Sequence, residues 1–556
     1  MPDYDAIVIG GGHNGLVTAL YLAHAGWKTL VLERNARLGG AVMSDEVTLP
    51  GFIHDLYSTN QNLFLNSAVF REFGDDLKRH GLRYRTSAKP YGNVFPGGKS
   101  LRVYQDAERT LELLRQHNAR DAEGWKTLHD QFHLFAATLL PLLSTTLPSR
   151  NAAAILLSAL RSAGLENLLE MAQIILSSTR ELGEAYFVSE EARALVASWG
   201  MHIDFGPDVS GGAMFPFVES FGDMEAGISI VEGGASRMID ALAGLINENG
   251  GDIRTDAEVA RILTEGDTAV GVELVSGERI AARRAVVANQ TPTLLFQGLL
   301  RDHRFAPSFR RKVERYQYGP GTMMVHLALR DRLEWEAGED LHEFAYIHVG
   351  PYVDDLARTY TSAISGYLPE SPFLVVGQTT AVDPTRAPEG QHVLWIQVRM
   401  LPGRIQGDAA GQIEGRDWDA IKEAYADRVL DKLQAYAPNL RDVILDRAVF
   451  SPLDLERANP NLVGGDSVAG SHHLRQNFVF RPFPGWSTYE MPLDRLYMVG
   501  AATWPGAGIN AGSGYFAAQR LLAEAQGWRS TLLKAGAGAG AVAGAVVAAR
   551  RLSRRG

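Results

Sequence analysis

A glycine cluster at Gly10, Gly12 and Gly15, set between an apolar tetrapeptide and a helical pattern, constrains this chain more than any other feature. Ala6-Ile7-Val8-Ile9 is the short, continuously apolar run of a strand buried on both faces. Beyond the glycines, Leu16, Ala19, Leu20 and Ala23 recur at helical spacing until Gly26 ends the pattern. Residues 29–32 form a second apolar run that stops at Glu33. In a β–α–β unit of this kind the first glycine permits a tight turn and the second admits a pyrophosphate to the backbone. The third lets the helix pack closely on the strand, and the helix N-terminus offers unpaired N–H groups to the anion. Glu33, about 20 residues past the glycines, is placed to accept hydrogen bonds from a ribose. Strand, glycines, helix, strand and acid occur in order, which predicts a dinucleotide-binding fold with Gly10, Gly12, His13, Asn14, Gly15, Glu33 and Arg34 along the ligand.

Gly39-Gly40, followed by Ala41, resembles the extended motif of glutathione-reductase-like FAD proteins, in which the chain after the acid turns back along the cofactor. The resemblance favours FAD over NAD. It also implies a discontinuous domain, and further pieces do occur. Val231-Glu232-Gly233-Gly234 precedes an amphipathic pattern with Met238, Leu242 and Leu245. Residues 258–262 and 269–274 read as strands, Gly277 as a hairpin turn, and residues 284–289 as a returning strand that ends at Asn289. Near the C-terminus an apolar run ends at Gly500-Ala501. The loop Trp504-Pro505-Gly506-Ala507-Gly508-Ile509-Asn510 follows, then a helix over about residues 514–524.

Together these segments look like the phytoene-desaturase superfamily, in the branch of flavin-dependent carotene ketolases and pyridine nucleotide-disulfide oxidoreductase domain-containing proteins. Asp383-Pro384-Thr385, Ala387-Pro388-Glu389-Gly390, Tyr436-Ala437-Pro438-Asn439 and Phe480-Arg481-Pro482 match as well. The likeness covers nearly the whole chain except the last twenty-odd residues. It implies an α/β protein: a discontinuous, glutathione-reductase-like FAD-binding Rossmann fold joined to a substrate domain of mixed β-sheet and apolar helices. The expected division is 1–75, 230–300 and 478–530 for the FAD-binding parts, 76–229 for a helical substrate lobe, 301–477 for a roofing sheet, and 531–556 for a tail. By the same resemblance Val259 lies at the adenine end through its backbone, and Gly500, Ala501, Gly508, Ile509 and Asn510 lie at the flavin end. His54 and Tyr57 follow the double glycine and are expected near the flavin. Trp504 is a departure, because the family commonly has threonine-histidine-proline-glycine where this chain has Thr503-Trp504-Pro505-Gly506. A large aromatic there removes a titratable group and reshapes the expected flavin site. The catalytic residues stay open, with Trp504, Tyr57 and His54 as the flavin-proximal candidates.

Composition narrows the chemistry. The chain has no cysteine, which excludes disulfides, thiolate metal sites and a redox-active cysteine pair. A net charge of −10 argues against nucleic acid as a partner. His326, His342, His348 and His392 lack metal-ligand spacing, and no metal is expected. Residues 134–147, 152–160 and 165–175 read as apolar helices suited to a lipid-like substrate. No uninterrupted apolar run reaches spanning length, and no signal-peptide pattern opens the chain, so a cytoplasmic protein is expected. The tail at 535–549 is glycine, alanine and valine with arginines behind it. Either it or the apolar helices provides for peripheral membrane contact.

One dinucleotide fold and no cysteine relay require direct electron exchange with a substrate and with a diffusible acceptor such as oxygen or a quinone. The leading expectation is hydride transfer between flavin N5 and a long apolar, isoprenoid- or carotenoid-like substrate, in a desaturase, ketolase or isomerase. The alternatives are a flavin-bound interaction protein without turnover and an amine-oxidase-like oxidase.

Overall fold

The computed structural model describes residues 3–535. The expected tail falls almost wholly outside them.

The first apolar run forms the strand Tyr4–Ile9, buried along its whole length, and the helix His13–His24 follows the glycines directly. Around that strand a seven-stranded sheet assembles in the spatial order Val259–Glu265, Thr268–Leu274, Arg279–Ala288, Tyr4–Ile9, Thr29–Leu32, Asp252–Arg254. Leu496–Met498 adds in parallel to Arg279–Ala288. The Arg279–Ala288 strand works in two halves. Its start pairs antiparallel with Thr268–Leu274, and its apolar end, Ala285 to Ala288, lies parallel to Tyr4–Ile9. Helices His13–His24, Ser236–Glu248 and Gly512–Ala535 cover one face, with Leu16, Leu20, Met238, Leu242 and Phe516 in a single apolar cluster.

A second seven-stranded sheet runs Ile444–Phe450, Gly321–Leu329, His392–Leu401, Phe373–Gly377, Tyr346–Val349, Tyr91–Phe95, Lys99–Val103. All its pairings are antiparallel except Tyr346–Val349 with Tyr91–Phe95. Strand alternation gives its faces different chemistry. Met323, Val325, Leu327, Ile347, Leu374, Val376, Ile396 and Val398 point outward into an aliphatic core against helix Trp418–Gln434. Tyr91, Met324, Tyr346, Phe373 and Trp395 point inward, against the helices of residues 107–226.

Two features differ from the sequence reading. Residues 91–103 supply two strands of the second sheet, although they fall within the expected helical lobe. Two five-residue strands beside a long helical stretch carry too little periodicity to separate. The last helix also continues to Ala535, past the expected start of the tail.

Arg150–Leu176 is long and apolar enough, by length and composition, to cross a membrane. A search for uninterrupted apolar runs misses it because polar residues punctuate the leucines. Gly164, at φ 80° and ψ 165°, divides it into two arms.

A buried arginine joins the turn after strand Phe373–Gly377 to the short strand His54–Asp55 and to Val231, which leads into helix Ser236–Glu248. Arg386 Nη1 lies 2.7 Å from Asp55 Oδ2, an ion-pair contact off the linear hydrogen-bond direction, and its Nε lies 3.3 Å from Asp383 Oδ2. All three side chains are shielded from water. Arg386 also donates to the Val231 carbonyl at 2.6 Å. Truncating the cation leaves Asp55 without its counter-charge and Asp383 with only Arg85, whose Nε lies 3.4 Å away. Arg386→Met is therefore expected to destabilise the chain by about 3–5 kcal/mol in denaturant titrations. Adding Asp55→Asn should recover part of that loss; a wild-type midpoint for the single variant would show the clasp to be dispensable.

Candidate functional site

The glycine turn opens into a groove of about 510 Å³ that runs along the first sheet's carboxyl edge. Its walls include Gly10, Gly12, His13, Asn14, Glu33, Arg34, Gly39, Gly40, Ala41, Val259, Asn289, Gly500 and Ala501. The strands ending at Ile9, Leu32, Ala288 and Met498 aim these residues at one crevice, which explains how three distant chain segments meet there.

The backbone is shaped for a bulky polyanionic ligand. A Cβ on Gly15 would lie 2.3 Å from the Gly10 carbonyl oxygen, so the helix reaches the strand only through glycine. A Cβ on Gly12 would come to 3.0 Å from Asn289 Nδ2, on the ligand side of the turn. Glu33 Oε2 accepts from the Gly11 N–H at 2.8 Å and Oε1 from the Asn35 N–H at 2.9 Å. These two bonds fix the carboxylate and leave lone pairs on both oxygens for a ribose diol. Burial holds the His13 imidazole down to about 4, hence neutral, with its Nε2 3.0 Å from Asn14 Nδ2. The donors and shape fit a dinucleotide with its pyrophosphate at the helix N-terminus.

The C-terminal loop divides between two roles. Gly500 and Ala501 line the groove, whereas Gly508, Ile509 and Asn510 do not. Ile509 is buried in the apolar cluster behind the glycine helix, and Asn510 Oδ1 accepts from the Gly512 N–H at 2.8 Å where the last helix begins. Local glycine spacing promises a ligand loop but does not show which way it faces. Trp504 is likewise absent from the groove wall. It is buried against Phe478, and its Nε1 donates to the Thr145 carbonyl at 2.8 Å, which ties the helical lobe to the first sheet's domain.

The other two candidates lie deeper. His54 is buried and bonded to Thr48 through Nε2 at 2.8 Å, and burial lowers it to about 4. Its ring stands edge-on to His326 at 5.2 Å. Tyr57 is buried, with its phenol pushed up to about 12, and its carbonyl accepts from Trp395 Nε1 at 3.0 Å.

Sequence reasoning missed several wall residues, among them Thr291, Asn461, Ser467 and Ala469. Asn461 locks its own wall by accepting from the Thr291 N–H at 2.7 Å. It also missed the polar inner face of the second sheet. Ala41 and Met43, which continue from the groove, pack against the aromatic cluster that contains Tyr57, Tyr346 and Trp395, the last two stacked at 5.9 Å. Helix Met214–Ala226 brings Glu219 and Asp223 to the same region. Asp223 is buried, accepts from Asn62 at 2.7 Å, and is raised to about 7 by desolvation. Glu219 keeps some exposed surface, yet desolvation and the Asp223 charge hold it well above the usual carboxylate range.

These acids link stability to pH. The folded-state Asp223 carboxyl keeps its proton to higher pH than the ordinary aspartate value of 3.8. Its contribution is therefore full below about 4 and is lost as pH rises through about 7. Asp223→Asn cannot ionise. Its melting temperature should fall less than wild type between pH 5 and 8.5, by about 1–4 °C; parallel pH curves for the two proteins would show that Asp223 is ionised throughout.

Comparison with known proteins agrees with this geometry. The family described as flavin containing amine oxidoreductase matches residues 15–522. Pyridine nucleotide-disulfide oxidoreductase domain-containing protein 2 of Rattus norvegicus is 27% identical over 93% of each chain. A limonene dehydrogenase polypeptide of Castellaniella defragrans is 26% identical, covering 93% of this chain and 94% of its own. A lycopene-forming phytoene desaturase from a Paracoccus strain is 24% identical over 93% of this chain and 97% of its own. The chain belongs to the flavin containing amine oxidoreductase family, among its phytoene-desaturase-like members, and is an FAD-dependent oxidoreductase.

Proposed function

We propose that this enzyme dehydrogenates a long apolar hydrocarbon of isoprenoid type. The observation that carries this reading is the packing of Ala41, on the groove wall, and of Met43 beside it against the aromatic cluster on the inner face of the second sheet. Bound FAD supplies a two-electron acceptor at flavin N5. Gly12 and Gly15 give its pyrophosphate access to the helix N-terminus, Glu33 receives its ribose, and Val259 flanks the adenine end. Gly500 and Ala501 flank the arm that leads to the flavin.

The remaining work falls to this chain's own side chains. Tyr346 and Trp395, stacked at 5.9 Å in that cluster, are the aromatic rings against which an extended hydrocarbon reaching past Ala41 would lie. Removing hydrogen from a saturated carbon pair releases a proton as well as a hydride. An acid poised near neutrality, as Asp223 is, suits receipt of that proton. With no cysteine to relay electrons, the final acceptor is diffusible, either oxygen or a quinone. The two similar proteins named for limonene and phytoene act on isoprenoids by their names, which supports the substrate class.

A hydrocarbon of this kind resides in lipid, and the helical arms are dressed for contact with it. Leu156, Leu157, Leu160, Leu165 and Leu169 are exposed on the two sides of Gly164. We place the membrane contact there. Changing Leu157, Leu160, Leu165 and Leu169 together to serine should reduce co-sedimentation with phosphatidylcholine vesicles at least several-fold and leave FAD bound. Unchanged sedimentation would move the contact elsewhere.

An amine oxidase is the second reading, favoured by the buried acids, which would attract an ammonium group if ionised. Anaerobic mixing with a long isoprenoid should bleach the flavin absorbance, and small amines should leave it oxidised. The reverse result, with peroxide formed from amines in air, would overturn the hydrocarbon assignment.

A further inference from the structure

The histidines whose spacing argued against a metal lie on or near the second sheet. A different pair stands on the helical lobe. His129 and His133 are four residues apart on helix Ala119–Thr138 and so share one face. Glu225, in the last turn of Met214–Ala226, faces both. His129 Nε2 lies 2.9 Å and His133 Nε2 3.3 Å from the same atom, Glu225 Oε1. All the donor atoms fall within 4.8 Å of one another.

The arrangement is braced. The His129 ring stacks on Phe221, with centroids 5.5 Å apart and planes 14° from parallel, and sits 4.5 Å from the His133 ring. Gln105 Nε2 donates to the Glu225 carbonyl at 3.0 Å, so a third segment fixes the acid's backbone. Zinc bonds to imidazole nitrogen and carboxylate oxygen at about 2.0–2.2 Å, which sets neighbouring donors of a tetrahedral site about 3.3 Å apart. The two imidazole-to-carboxylate separations are close to that edge, and the third lies within 4.8 Å. His133 and Glu225 remain partly exposed, at 58% and 39% of their side-chain surface, which leaves the outer positions open to water.

We propose that His129, His133 and Glu225 bind one divalent first-row transition ion, zinc or a metal of similar softness. The ion clamps helix Ala119–Thr138 to helix Met214–Ala226. It acts structurally, since the helix it would pin is the one that carries Glu219 and Asp223. The inference stands apart from the identity of the hydrocarbon substrate.

The test uses the full-length, tag-free, FAD-loaded protein after dialysis against a chelator. Titration with cobalt(II) should give one equivalent of visible d–d absorption, displaced by zinc, and zinc should raise the melting temperature. His133→Ala and Glu225→Gln, both at partly exposed positions, should each weaken binding at least tenfold and retain FAD and the wild-type melting temperature in chelator. Loss of the cobalt signal in both variants supports the site. No binding up to millimolar cobalt, or binding that survives both substitutions, overturns it.

Discussion

The Asp55–Arg386–Asp383 clasp is the interaction on which three distant segments of the molecule depend. A buried guanidinium is tolerated only when its charge is met at close range, and here two carboxylates meet it from different parts of the chain. Each carboxylate is engaged again. Asp55 accepts from Ser44 Oγ at 2.7 Å, Thr59 Oγ1 at 2.5 Å and the Ala235 N–H at 2.8 Å, and Asp383 accepts from the Gly233 N–H at 2.7 Å. One cation thereby fixes the segment after the double glycine, the turn into helix Ser236–Glu248 and the turn after strand Phe373–Gly377. Those are the pieces that bring Ala41 and Met43 against the second sheet.

That sheet gives the site its chemical character because its two faces answer to different demands. The outer face buries aliphatic side chains against Trp418–Gln434 and supplies cohesion. The inner face accepts aromatic rings, neutral histidines and an arginine, Arg399, bonded to the Met201 and Ile203 carbonyls and to Thr322 Oγ1. Polar groups on a face turned toward helices cost free energy unless they are satisfied, and Arg399 meets that demand with backbone carbonyls and a hydroxyl.

The legible part of the sequence was the part governed by local periodicity. Strand Tyr4–Ile9, the glycine turn, its helix and Glu33 lie within one short stretch, and each shows its own pattern. The other strands of the first sheet could be read because apolar runs and a hairpin glycine bracket them. Asn461 and Asp223 could not be read, because an asparagine or an aspartate acquires its role from partners more than a hundred residues away. Trp504 and Ile509 show the opposite problem. The motif around them is local and recognisable, but the direction of its side chains is set by Thr145 and by the helix core behind, which no spacing encodes.

The discontinuity of the first sheet also bears on how the chain is made. Strand Arg279–Ala288 presents one parallel edge to Tyr4–Ile9 and the other to Leu496–Met498, which emerges from the ribosome more than two hundred residues later. At a synthesis rate of about 5–20 residues per second, that edge waits on the order of ten to forty seconds for its neighbour. The groove wall at Gly500 and Ala501 is missing for the same interval, so FAD cannot be fully enclosed until translation is almost complete. The nascent chain therefore carries an open strand edge and a half-built cofactor cradle together until that last strand arrives.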